Sequence, residues 1–525
     1  MKPIVTNIST FPRMIEYGNL YVDKTAYLRR LIDPANGGQF FLARPRRFGK
    51  SLTISTLQAI FEGRRELFKG LAIDESDYDW PTFPVIRLDM GSSQVDDLSL
   101  FEGRIRATLR LAAERLGLAR RPDEDVVSQF SSLIADAAAK SPSGKAVLLI
   151  DEYDKPILGL LCKPEIDAVR SRLKQFYSVI KTCESLLRFS FITGVSKFSK
   201  VSIFSDLNNL VDLTMNADYA TLLGYTHDEV RANFSEQIAA LGEANGMTAE
   251  QAFQKIVRMY DGYRFHPSAE RVVNPVSLGR CLATCEFNFY WYETGTPTFL
   301  VDMLKERPID LTNQSISVDK LSTYEPSNPE IVPLLYQTGY LTIKNSFEED
   351  ETRYYALGFP NTEVEKAFCD SLAPAYTGHA NDASFDRLRL DCRAALRAHD
   401  VGGFFETMQP IFANIPYDLT NRQNEQTWQA IIVVIMRFIG LRVIPEDRTN
   451  RGRIDFTVDV GSEFYVVEMK LDKTAAEALA QIKAKGYADK LAACGKRVTL
   501  VGLNFDSKTR TVNEWATDES AVMGV

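Results

Sequence analysis

Residues 39–61 constrain this chain more than any other stretch: an apolar run, a basic loop, then a helical pattern. The centre reads Arg44-Pro45-Arg46-Arg47-Phe48-Gly49-Lys50-Ser51. In a loop of the form G-x-x-x-x-G-K-[ST], backbone N–H groups cradle phosphates, the lysine reaches the terminal phosphates and the hydroxyl holds Mg²⁺. Gly49, Lys50 and Ser51 fit that form, and Arg44 stands where its first glycine is expected. Arg46, Arg47, Phe48, Gly49, Lys50 and Ser51 are therefore the expected nucleotide-binding segment. The charges on Arg44, Arg46 and Arg47 favour tight phosphate binding over fast turnover.

The flanking sequence has the order such a site needs. Tyr21-Val22-Asp23-Lys24-Thr25 precedes a short helical pattern that Asp33-Pro34 ends, and Asn36-Gly37-Gly38 turns the chain into the strand at 39–43. Apolar strands recur at 85–89, 146–150 and 187–193, separated by helical spacings such as Phe101, Ile105 and Leu109. This alternation implies a parallel sheet covered on both faces. The strand at 146–150 runs straight into Asp151-Glu152. Alone, two acids at a strand end are ordinary. Downstream of Lys50-Ser51 they read as a Mg²⁺-linked acid, Asp151, and a water-polarising base, Glu152. Thr193 or Ser196, after the next strand, is either a polar sensor of a γ-phosphate or a plain strand cap.

From 226 to 300 the pattern is helical and aromatic, as for a lid over the nucleotide domain; Arg264 there reads as a surface ion pair sooner than a phosphate contact. A helix near 331–337 and strands at 340–344 and 353–357 around the acidic turn 348–351 make the helix-and-hairpin pattern of a winged-helix module. Such modules read DNA or dock proteins, and the acidic turn argues against DNA. A helix from 362 is expected to end at Pro374. The resulting division is 1–225 nucleotide domain, 226–300 lid, 301–380 linker module and 381–525 C-terminal domain.

The C-terminal stretch carries a second constellation. Glu425 opens an apolar helix to 438, a strand follows at 441–445, and Arg453-Ile454-Asp455-Phe456 pairs across a Gly461-Ser462 turn with Phe464-Tyr465-Val466-Val467-Glu468-Met469-Lys470. Side chains alternate along a strand, so Glu468 and Lys470 share a face that Asp455 can join. Two carboxylates and a lysine suit a Mg²⁺ site acting on a phosphodiester, with Mn²⁺ an acceptable substitute; Glu425 is a further candidate metal ligand. Gln481 and Tyr487, on the following helical pattern at 474–491, are placed near it to touch a nucleic-acid backbone. The competing reading of Glu-x-Lys is a solvated strand face, but the apolar run before it does not suit one. Helix, three strands, helix, strand is the core of a nuclease architecture.

Composition sets the outer limits. A chain of 525 residues exceeds one core. Its 45% hydrophobic and 25% charged content is that of a globular protein, and a net charge of −8 argues against indiscriminate nucleic-acid binding by the whole surface. Seven scattered cysteines suit reduced thiols, and with four histidines and no C-x-x-C pair, Cys281 and Cys285 make a poor zinc site. No secretory signal or membrane span is visible, so the expected location is cytoplasmic.

The chain resembles, over nearly its whole length, bacterial AAA-ATPase-like proteins with a C-terminal PD-(D/E)XK nuclease-superfamily domain. The carriers are Tyr21 to Thr25, Arg44 to Ser51, Leu149-Ile150-Asp151-Glu152-Tyr153-Asp154-Lys155-Pro156, Thr193-Gly194-Val195-Ser196-Lys197-Phe198-Ser199, Tyr260-Asp261-Gly262-Tyr263-Arg264-Phe265, Glu293-Thr294-Gly295-Thr296-Pro297, Gln337-Thr338-Gly339-Tyr340, and Asp455 with Glu468-Met469-Lys470. The resemblance implies an α/β multidomain protein: a P-loop parallel-sheet ATPase domain, a lid, and an α/β restriction-endonuclease-like domain. Lys50, Ser51, Asp151 and Thr193 would serve ATP and Mg²⁺, Glu152 the hydrolytic water, and Asp455, Glu468 and Lys470 a nuclease centre. Ile454 stands where the family name has its proline, a position that binds no metal. The expected activity is ATP-regulated nucleic-acid cleavage, with DNA ahead of RNA as substrate. The alternative is a nucleotide-switched interaction protein whose nuclease fold binds without cutting. Oligomerisation is left open.

Overall fold

The computed structural model describes residues 1–91, 97–161, 163–198, 209–291, 298–306, 309, 314–321, 329–377, 383–413, 415, 425–449, 452–461, 463–486, 491, 496–509 and 511–520. It comprises two compact units. The first holds 1–290, 316–356 and 360–362; the second holds 291–315, 357–359 and 363–525.

The first unit is built on strands β1 (Gln39–Ala43), β2 (Val85–Asp89), β3 (Ala146–Asp151), β4 (Leu187–Gly194) and β5 (Val211–Asp212), in spatial order β2-β3-β4-β1-β5. All four pairings are parallel. β1 and β3 are buried along their whole length, as near-continuous apolar runs require when both faces are covered. Ala43 pairs with Gly194 and Asp89 with Asp151, so the carboxyl ends of four strands open on one edge. That edge is where ligands bind in parallel α/β sheets.

The helices His227–Ala244, Ala249–Tyr260 and Pro275–Thr284 share a core of Val230, Phe234, Ile256, Tyr260 and Leu278. Their starts are written in the sequence. Thr226 and Thr248 form capping boxes with Glu229 and Gln251, and Asn274 caps a helix that opens with Pro275. Val22 belongs to the same core, and Lys24 Nζ binds the Thr221 carbonyl (2.8 Å) and the Glu229 carboxylate (2.6 Å). The Tyr21–Thr25 motif is thus a fastening between the N-terminal segment and these three helices. Cys281 lies in that core and Cys285 caps the last of these helices.

The helix Ile331–Thr338 ends at Gly339 in the left-handed region (φ 90°). It leads to the hairpin of β7 (Thr342–Glu349) and β8 (Thr352–Gly358), which joins β6 (Gln314–Ser317) in the order β6-β8-β7. The second unit carries a mixed sheet, β13-β12-β11-β10-β9, from β9 (Arg442–Thr449), β10 (Gly452–Asp459), β11 (Glu463–Leu471), β12 (Arg497–Asp506) and β13 (Thr511–Ser520). Only β11 and β12 run parallel, bridged by the helix Ala475–Ala484. Gly502 lets that helix lie against the sheet: a Cβ there would meet the Ala475 carbonyl at 2.3 Å and the Leu479 nitrogen at 2.5 Å.

One helix boundary departs from expectation. Pro374 does not end its helix, which runs from Thr362 to Thr377. The apolar face of Val364, Phe368, Leu372 and Ala373 continues to buried Tyr376, whose hydroxyl donates to the Leu304 carbonyl (3.1 Å). Tertiary burial outweighs the missing N–H. No described helix is long and apolar enough to cross a membrane.

Candidate functional sites

The loop between β1 and the helix Lys50–Phe61 turns through two left-handed residues, Arg47 (φ 68°) and Gly49 (φ 96°). Alternating hands in a short loop aim successive N–H groups into one concavity, an anion-binding nest. Lys50 spans the mouth of the loop, donating to the carbonyls of Arg44 and Pro45, both at 2.9 Å. An ammonium has three donors, so one proton remains for a ligand. Burial lowers the Lys50 pKa, and the charges of Asp151, Asp154 and Glu152 oppose that shift.

The three loop arginines divide. Arg44, expected to help hold phosphate, points into the protein and is 1% exposed. It donates to the carbonyls of Ala43 (2.9 Å), Thr214 (2.6 Å) and Tyr219 (3.3 Å) and packs 4.1 Å above the Phe265 ring. Burial pushes its pKa down to about 10. Arg44 fastens the loop to Thr214, Tyr219 and Phe265, and Phe48 stands edge-on to Tyr263 and Phe265. Arg47 donates to the Tyr290 carbonyl (2.6 Å), and Arg46 is exposed. Arg264, expected in an ion pair, instead reaches the Lys344 carbonyl (3.5 Å).

At the end of β3, Asp151 is 2% exposed and its Oδ1 accepts from the Thr193 hydroxyl (2.8 Å) and the Glu152 amide (3.0 Å). Glu152 is held in the left-handed region (φ 52°), an uncommon conformation for a side-chain-bearing residue and one that concentrates at functional sites. Gly91 leaves room for it: a Cβ there would stand 3.0 Å from Glu152 Oε2 and 2.9 Å from Asp89 Oδ1. Sequence reasoning assigned no role to Gly91 or to Asp154. Asp154 is buried and accepts from the amides of Val195 (3.1 Å) and Ser196 (2.7 Å), while Tyr153 donates to the Ser196 carbonyl (2.9 Å). Its signal was its place in the quoted Asp151–Pro156 motif. Ser196, the alternative to Thr193, is fully buried, and its hydroxyl has no partner among the described residues.

In the second unit, Phe456 pairs with Val467, which brings the next positions outward, Asp455 and Glu468, onto neighbouring strands. Asp455 Oδ2 accepts from the Met469 amide (2.7 Å). Lys470 Nζ lies 3.3 Å from Glu468 Oε1 and 3.6 Å from Glu425 Oε1. Gln481 donates to Glu468 Oε1, whereas Glu468 Oε2 is buried with no partner among the described residues. Tyr487 lies outside the described residues. Burial, with the Glu468 charge beside it, raises the Asp455 pKa to about 7. Burial likewise raises Glu468, against the pull of Lys470. For Lys470, burial alone would lower the pKa, but Glu468, Glu425 and Asp455 together raise it.

Among the described residues no three His, Cys, Asp or Glu side chains form a ready metal cage. The donor set nevertheless fits a hard divalent cation. Two close carboxylates hold pKa values raised by burial, one has an open buried oxygen, and Mg²⁺ keeps several waters rather than requiring an all-protein shell.

A loop of nested amides with an inward lysine, facing an acid pair across a parallel sheet, defines a P-loop ATPase-type domain; the mixed sheet carrying Asp455, Glu468 and Lys470 defines a nuclease-type fold. Residues 5–204 match the family model described as "Predicted AAA-ATPase" (AAA-ATPase-like), and residues 423–515 match the PD-(D/E)XK nuclease superfamily. The chain belongs to the family that joins these two domains. It is similar to a protein of Azotobacter chroococcum mcd 1 named "Uncharacterized protein in vnfD 5'region", 37% identical over 523 residues, covering 97% of this chain and 98% of that one.

Proposed function

We propose that the protein is a cytoplasmic, ATP-controlled, metal-dependent nuclease that hydrolyses nucleic-acid phosphodiesters, with DNA ahead of RNA. The observation carrying this reading is the convergence of Asp455, Glu468 and Lys470, with both carboxyl pKa values raised and Glu468 Oε2 open. Asp455 and Glu468 hold Mg²⁺ or Mn²⁺, with Glu425 within reach of the same lysine. The bound cation supplies charge neutralisation at the phosphodiester and a water of lowered pKa. Lys470 orients that water or balances charge on the phosphate, and Gln481 fixes the Glu468 carboxylate.

In the ATPase-type domain, residues 46–51 hold the phosphates, Ser51 and Asp151 serve Mg²⁺, Thr193 orients Asp151, and Glu152 polarises water. Nucleotide binding acts as the control, through the lid and the hairpin of β7 and β8. Cys183, Cys285, Cys369 and Cys392 form no disulfide, which suits a reducing compartment. A second reading, a nucleic-acid or protein binder without cleavage, is favoured by the ion pairs that already occupy Lys470.

Purified protein with Mg²⁺ or Mn²⁺ separates the two. The nuclease reading expects cleavage that falls at least about 100-fold in Asp455→Ala and in Lys470→Ala, the scale on which single catalytic groups act. Equal background cleavage in wild type and both variants refutes it.

A further inference from the structure

We infer that Gln337 is a positioning residue of the nucleotide site, holding the loop after β4 in the form that recognises a γ-phosphate. The inference rests on the proposed ATP site. It concerns a residue 140 positions from the loop it serves.

β4 lies between β1, which feeds the phosphate loop, and β3, which carries Asp151. The loop leaving β4, residues 195–198, therefore borders the place where a terminal phosphate faces Lys50 and Glu152. This loop is fastened to the acid turn on one side. Thr193 donates to Asp151, Asp154 accepts from the Val195 and Ser196 amides, and Tyr153 donates to the Ser196 carbonyl. A Cβ on Gly194 would stand 2.5 Å from the Tyr153 ring and 2.6 Å from Asp154 Oδ1, so the two segments are in direct contact.

On its other side the loop is held by Gln337, 5% exposed, whose Oε1 accepts from the Lys197 amide at 2.7 Å. The Lys197 ammonium pairs with Asp212 at the end of β5. Gln337 lies beside Tyr336 on the helix Ile331–Thr338. The helix thus holds the β4 loop through Lys197. The same helix leads directly into the hairpin of β7 and β8.

The required chemistry is an acceptor oxygen at Gln337, which makes the role separable from packing. Gln337→Met keeps the length and removes the acceptor; Gln337→Glu keeps an acceptor. ATP and ADP dissociation constants and ATP turnover are measured on the full chain for wild type and both variants. The inference expects Gln337→Met to weaken ATP binding or slow turnover about 5- to 10-fold, the worth of one buried hydrogen bond, with ADP affinity within about twofold of wild type. Gln337→Glu, which keeps an acceptor, is expected to bind and turn over ATP as wild type does. Three results overturn the inference: an unchanged Gln337→Met, equal loss of ATP and ADP affinity, or equal defects in Met and Glu variants. Wild-type protein that binds neither nucleotide overturns the ATP-site reading itself, and this inference with it.

Discussion

A single carboxyl group carries the sharpest thermodynamic consequence. Asp455 titrates near 7 in the folded protein against about 4 in an unfolded chain. Between those values the unfolded chain releases its proton first, so the group's unfavourable contribution to folding grows from about pH 4 to about pH 7 and is constant above. Asp455→Asn removes it while an amide oxygen can still accept from Met469. The metal-free variant is expected to melt higher than wild type at pH 8, by on the order of 1 kcal/mol or more, and equally at pH 4, in paired thermal scans. A wild type more stable than the variant at pH 8 contradicts the assignment. Other residues show what sequence leaves out. The positions of Lys50 at the start of its helix, Asp151 at the end of β3 and Asp455 on the strand beside Glu468 were legible because motif spacing encodes them. The inward course of Arg44 was not, because its carbonyl partners at Thr214 and Tyr219 lie 170 or more positions away. A basic side chain in a phosphate loop reads as a phosphate ligand until the slot that swallows it is known.

Elements add constraints that no single side chain reveals. The helix starts at Thr226, Thr248 and Thr474 each carry a capping box written within four residues. The persistence of the helix through Pro374 was not readable, because its stabilisation comes from the burial of Tyr376 against another segment. The register of β11 on β12 sets Glu468 opposite Gly502, where the helix Ala475–Ala484 packs on the sheet and delivers Gln481 to Glu468. Gly502→Ala is expected to push that helix outward. The cost is about 1–3 kcal/mol, typical of overpacking, together with lost cleavage at temperatures where the protein stays folded. A variant with wild-type melting and cleavage shows that the helix has slack at this point.

For the whole molecule, the account joins two chemistries in one polypeptide: a phosphate site at the carboxyl edge of a parallel sheet and a carboxylate–lysine centre on a mixed sheet. The central claim is that the first controls the second. It is tested most directly by the rate of Mg²⁺-dependent DNA cleavage by the full chain, with and without ATP, in wild type and Lys50→Ala. ATP is expected to change the rate about tenfold or more in wild type and to leave it unchanged in Lys50→Ala, whose basal cleavage persists. Cleavage indifferent to ATP in both proteins, or no cleavage above that of Asp455→Ala, contradicts it.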